Sequence, residues 1–178
     1  MKKILLLPAL SVIVFASCVG KAKVDPIKPA FADTISATID GVPENFNSLD
    51  TIRYNNPNSL YFSGTNADNA DKMILILGSN GNSIDTGAYT SVYGGPKGSE
   101  ILYGVGPGNT ANDYYYTYDI SGGASFDAIV KVTSISSSNI KGTFSGTVVQ
   151  ESSVLTANPV IKTITNGKFN LAIKQASQ

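Results

Sequence analysis

SFDAIVKVTSISSSNIKGTFSGTVV, residues 125–149, alternates side chains with a period of two, and that period decides the fold class. Over 125–135, Phe126, Ala128, Val130 and Val132 share one face, with Asp127, Ile129, Lys131 and Thr133 on the other. Over 139–149, Ile140, Gly142, Phe144, Gly146 and Val148 share one face, and Lys141, Thr143, Ser145 and Thr147 oppose them. Between the two runs, residues 136–139 read as a turn. The segments therefore predict an antiparallel hairpin with one face in a core and one mostly in water. Two glycines on the inner face leave room for a neighbouring side chain or sheet to come close, which predicts strong curvature.

Working outward, the same period recurs at 34–39, 50–54, 59–64, 72–78, 87–92, 100–104, 114–120 and 161–173, in short runs divided by Gly, Asn, Asp and Ser. About ten strands result, and no stretch supports a helix of three turns. The expected fold is all-β: a single antiparallel β-sandwich or β-barrel-like domain over residues 33–178. Near its end, Asn166-Gly167 lies between alternating runs, so either a type I′ hairpin or a Gly bulge inside one long strand satisfies the pattern. Phe169, Leu171 and Ile173 face inward in both cases.

Composition removes whole classes of chemistry. The 178 residues contain no His and one Cys, so an imidazole base, a Cys/His zinc site, a haem His and an intrachain disulfide are all missing. No cofactor is expected. Thirteen Lys and Arg balance thirteen Asp and Glu, which leaves no broad cationic field to displace counterions from phosphates, so nucleic acid is not an expected partner.

The first residues read as an export signal. Lys2 and Lys3 precede a twelve-residue apolar run, ILLLPALSVIVF, and Ala16-Ser17 lead to the only cysteine, Cys18. The run is short of the roughly 20 residues that span a bilayer as a helix, and Pro8 weakens it further. Small residues before a cysteine resemble the bacterial lipobox, in which the thiol is acylated and the cysteine becomes the mature N-terminus. Residues 1–17 are then the signal peptide. Residues 18–32, with Pro26 and Pro29 and no periodicity, form a lipidated N-terminus and flexible tether. Val19 stands where Asp retains many lipoproteins in the inner membrane, and no acidic run of the surface-export type follows. By that resemblance, the domain hangs from the outer membrane facing the periplasm, with surface display as the alternative.

ISATIDGVPENF at 35–46, IKGTFSGTV at 140–148 and ITNGKFNL at 164–171 together resemble an uncharacterised family of Bacteroidota envelope lipoproteins. Its members open with an alternating strand and a Gly-Val-Pro or similar turn, and close with two glycine-containing strands. The resemblance implies an envelope location and a β fold, and no activity.

Three groups of residues are candidate sites. All nine tyrosines lie between Tyr54 and Tyr118, and in DYYYTYD, 113–119, alternation sets Tyr114, Tyr116 and Tyr118 on one face and Tyr115, Thr117 and Asp119 on the other. Exposed, the first face is a row of rings suited to stacking on sugars or gripping an apolar ligand; buried, it is ordinary core. With Tyr89, Tyr93 and Tyr103 beside glycine-rich loops at 94–100 and 104–113, these tyrosines are the ligand-binding candidates, for a glycan, a small molecule or an envelope protein. Asn66, Asp68, Asn69 and Asp71 crowd one turn, where oxygen atoms suit Ca²⁺ but Asx residues also stabilise turns unaided. Asp85, Glu100, Asp113 and Asp119 are the carboxylates a glycan hydrolase would need in pairs roughly 5–10 Å apart. The reading preferred is a non-enzymatic lipoprotein that binds through its Tyr-rich side; the alternatives are a purely structural or assembly lipoprotein and, more remotely, the hydrolase.

Overall fold

The hairpin read from residues 125–149 organises the sheet seen in the computed structural model. The structure describes residues 33–53, 58–68, 70–91, 96–106, 114–119, 125–153 and 156–175. The expectations for Cys18, Asn69, Tyr93 and Asp113 lie outside the described residues. Fourteen strand segments follow one another: β1 (Thr34–Ile39), β2 (Val42–Phe46), β3 (Ser48–Arg53), β4 (Ser59–Thr65), β5 (Lys72–Ser79), β6 (Gly87–Thr90), β7 (Lys97–Gly104), β8 (Tyr114–Tyr116), β9 (Tyr118–Asp119), β10 (Ser125–Phe126), β11 (Ala128–Ile135), β12 (Asn139–Gln150), β13 (Ile161–Ala172) and β14 (Lys174–Gln175). Four successive pairs are joined through one residue each, at Asn47, Thr117, Asp127 and Ile173, which leaves about the ten strands the sequence predicts. A single 3₁₀ turn at Glu151–Ser153 is the only helical element among the described residues, and none of their helices is long and apolar enough to cross a membrane.

β11 and β12 pair antiparallel from Ala128↔Gly146 to Ile135↔Ile140, and the burial alternates as the sequence requires. Across the turn, the Ser136 amide donates to the Asn139 carbonyl at 2.8 Å. β12 pairs in turn with β13, and β13 with β1, so the first strand lies beside the last long one. Past Ile173 the same run continues as β14 and pairs parallel with β3, whose other side is held by β4. Since β4, β5, β7 and β8 lead back to β12, the wall closes on itself as a barrel. Closure answers the sandwich-or-barrel alternative, and it leaves few bare strand edges.

Between β1 and β2 the chain turns at Asp40-Gly41, with φ of 49° and 86° and Ile39 opposite Val42. Two left-handed residues in a two-residue loop make a type I′ turn, the conformation Asp-Gly favours. The turn thus comes one step earlier than the Gly-Val-Pro motif implied, and Val42 and Pro43 already belong to β2, a strand that periodicity missed. Pro43 breaks the alternation and carries no amide, which an edge strand tolerates. The carboxylate of Asp40 reaches back to accept from the Thr163 amide at 2.8 Å and from Lys162 Nζ at 3.1 Å, pinning the hairpin to β13.

At Asn166-Gly167 the bulge prevails. β13 runs unbroken through both residues, Asn166 has φ 53°, and the register slips between Phe144↔Gly167 and Gly146↔Ile164 so that one extra residue sits on β13. Phe169, Leu171 and Ile173 then point inward, each at most 8% exposed. Phe169 lies opposite Gly142, and Phe144 opposite Gly167, so each ring covers a neighbouring strand's glycine. Phe169 also meets Phe62 from β4 at 5.1 Å between ring centroids, and this contact bridges the barrel interior. The core is filled by side chains such as Leu60, Leu75, Leu77, Ile101, Ile140 and Val148.

Candidate functional site

The tyrosines divide between the two faces of the wall. In β8, Tyr115 is buried while Tyr114 and Tyr116 are only half-buried on the outer face, their ring centroids 6.1 Å apart. Tyr103 points inward from β7 and packs on Tyr115 at 6.4 Å; Tyr89 is wholly enclosed. Of Tyr118 only the backbone is described, as part of β9. The six candidates therefore do not form one row. Tyr89 and Tyr103 have the buried position that the purely structural reading expects, and Tyr114 and Tyr116 have the outward position that binding requires.

Register shows what surrounds the outward pair. Ser63, Ile74, Leu102 and Tyr116 lie side by side across β4, β5, β7 and β8, and Tyr61, Ile76 and Glu100 form the next row. This outer wall is apolar and aromatic, with Ile74 only 6% exposed although it faces away from the core. Within it Glu100 is half-buried, and burial raises its carboxyl pKa above the usual carboxylate value. The Tyr116 hydroxyl is raised as well, first by burial and then by the charges of Glu151 and Glu100.

Glu100 gives the wall a pH signature. Its folded pKa lies above its unfolded value, so the folded chain binds more protons between the two, and stability falls as pH rises through that window. Glu100→Gln removes the burden: Tm should rise by about 1–3 °C at neutral pH. The gain should vanish below about pH 4, where the unfolded carboxyl is also protonated. Thermal melts of both chains across pH check this.

The Asx turn uses its oxygens internally. Asn66 Oδ1 accepts from the amides of Ala70 and Asp71 at 3.0 and 3.2 Å. Asp71 accepts from the Tyr103 hydroxyl at 2.7 Å and from the Gly106 amide at 3.2 Å. Asp68 is exposed, and among the described residues no cluster of three or more acidic side chains stands close enough to hold a metal ion. These groups tie the β4–β5 hairpin to the end of β7.

A second feature escaped the sequence. The chain passes from β5 to β6, and β7, next in sequence, inserts between them; β6 and β7 run parallel and share one bridge, Thr90↔Gly98. Below that bridge the wall opens into a solvent-accessible cleft of about 300 Å³, lined by Ser79, Asn82, Asp85, Ala88, Thr90, Pro96 and Lys97. Gly87, at φ 134°, has no Cβ to collide with the Lys97 ammonium, which lies 3.0 Å from where that atom would stand. Lys97 ion-pairs with Asp85, donates to the Thr86 carbonyl at 2.9 Å and sits 5.2 Å above the Tyr89 ring. Its hydrogen bond holds the Asp85 carboxyl below the usual carboxylate range, and burial pushes the Tyr89 phenol up to about 12. The Tyr89 hydroxyl accepts from the Asp85 amide at 3.0 Å, fixing the turn that carries the carboxylate.

Asp85 and Glu100, the two hydrolase candidates whose side chains are described, thus belong to different settings, the ion-paired cleft and the outer wall. The polar run NGNSIDT at 80–86 was the signal for the cleft, but only the strand order shows that it borders a gap. Comparison with protein-family models, curated proteins and solved structures finds no match to this chain.

Proposed function

We propose that the chain is a cell-envelope lipoprotein, acylated at Cys18, whose β barrel binds a ligand or partner through the outer wall around Tyr114 and Tyr116. The binding reading is carried by one observation: these two rings face outward beside Ile74 and Leu102, while Tyr103 and Tyr115 are already committed to the core. A half-exposed aromatic pair on an apolar wall gives contact area with little conformational entropy to lose. The function is one of binding and not of catalysis. The layout of residues 1–18 supports anchorage, and Val19 supports an outer-membrane position facing the periplasm.

Intact mass of the membrane fraction tests the anchor. A mature chain beginning at an acylated Cys18 is expected, and Cys18→Ser should leave an unacylated chain; a free thiol at residue 18 of the native chain overturns the placement. For the wall, a photocrosslinking side chain at position 114 should give an adduct in intact cells that Tyr116→Ala removes and that position 131, on the far hairpin, does not give. Equal labelling at 114 and 131 returns the wall to a structural role.

A further inference from the structure

We propose that the cleft between β5, β6 and β7 is a binding site for a neutral polyhydroxylated ligand, a sugar unit of a glycan, separate from the tyrosine wall. Its size, about 300 Å³, falls at the small end of ligand pockets, which suits one compact ligand and not a folded partner. Its charge decides the ligand's sign. The lining holds one carboxylate and one ammonium, and these are paired with each other, so neither an anion nor a cation finds an uncompensated partner.

What the cleft does offer is hydrogen-bonding capacity. Lys97 spends itself on Asp85 and the Thr86 carbonyl, yet only Oδ1 of Asp85 is engaged, and Oδ2 is left to accept from a hydroxyl. Asn82 gives its amide nitrogen to the Asn80 carbonyl at 3.4 Å, a weak bond, and keeps its oxygen free; the hydroxyls of Ser79 and Thr90 have no partner among the described residues. A carboxylate, an amide and two hydroxyls around a surface of Ala88 and Pro96 match a ring with hydroxyls on its edge and C–H groups on its face. The site is also preorganised: Tyr89 fixes the Asp85 turn from below and Lys97 fixes the carboxylate from the side. The gap arises because β7 begins only at Lys97, so the lower part of β6 is not zipped to a neighbour on that side.

The test is an amide-resolved NMR titration of the full chain in detergent with maltose, cellobiose, lactose and N,N′-diacetylchitobiose, beside inorganic phosphate and trialanine. At least one disaccharide should shift the amides of Ser79, Asn82, Thr90 and Lys97 to saturation. Asn82→Ala and Thr90→Val, both outside the core cluster, should each weaken that binding about three- to tenfold, the range set by one neutral hydrogen bond. An unchanged spectrum with all four sugars overturns the proposal. So does a response at the cleft to phosphate or trialanine alone, a sugar response confined to Tyr114 and Tyr116, or unchanged affinity in the two variants. The Tyr114 crosslinking result bears on the wall alone, so either reading can fail without the other.

Discussion

Gly142→Ala is expected to destabilise the barrel by about 3 kcal/mol or more, read as a lower urea midpoint with an unchanged slope. A methyl group at residue 142 would stand 2.8 Å from Cε1 of Phe169 and closer still to the Lys131 carbonyl oxygen on β11. The ring can tilt, but the carbonyl belongs to the β11–β12 ladder and cannot retreat without breaking it. Gly78→Ala is the matched control. Nothing lies within 4 Å of that added atom, so its effect should stay within about 0.5 kcal/mol. Equal losses at the two positions would refute the steric account of the inner-face glycines.

Phe169→Ala comes next, with an expected loss of about 3–5 kcal/mol. The side chain is 2% exposed, packs on Phe62 across the interior and covers Gly142, so its removal leaves a cavity where β4, β12 and β13 meet. Phe169→Leu, which refills much of the volume, should cost no more than about half as much. The double variant Gly142→Ala/Phe169→Ala should lose less than the two single losses combined, because the new methyl occupies part of the vacated space. Full additivity in that cycle would mean that ring and glycine are not packed as a pair.

The β fold was legible because its signal is local. Alternation in 125–149 depends only on which side chain follows which, and the burial of Ala128, Val130, Val132, Ile140 and Phe144 reproduces it. β2 was missed for an equally local reason: Pro43 and Glu44 interrupt the period, although Asp40-Gly41 announced the turn. The bulge at Asn166 could not be separated from a hairpin by sequence, since both need a left-handed residue; the pairing of β13 with β1 and β12 at once decides between them. Which face of Tyr114–Tyr116 meets solvent was equally undetermined, because period-two alternation defines two faces without saying which is inside. The cleft was the least legible, since it comes from strand order and its polar lining is scattered from Ser79 to Lys97.

The pairing of Thr34 with Asn170 has a kinetic meaning. A topology whose opening strand must await its closing one has high contact order, and such chains cross their rate-limiting barrier slowly. As the polypeptide emerges from its N-terminus, β1 can zip to β2 at once, but the ring stays ajar until 161–175 arrives to complete both seams. The closed ring therefore cannot assemble until residues 161–175 have been made. Losing the run formed by β13 and β14 would leave three partners, β1, β3 and β12, with bare edges at the same moment.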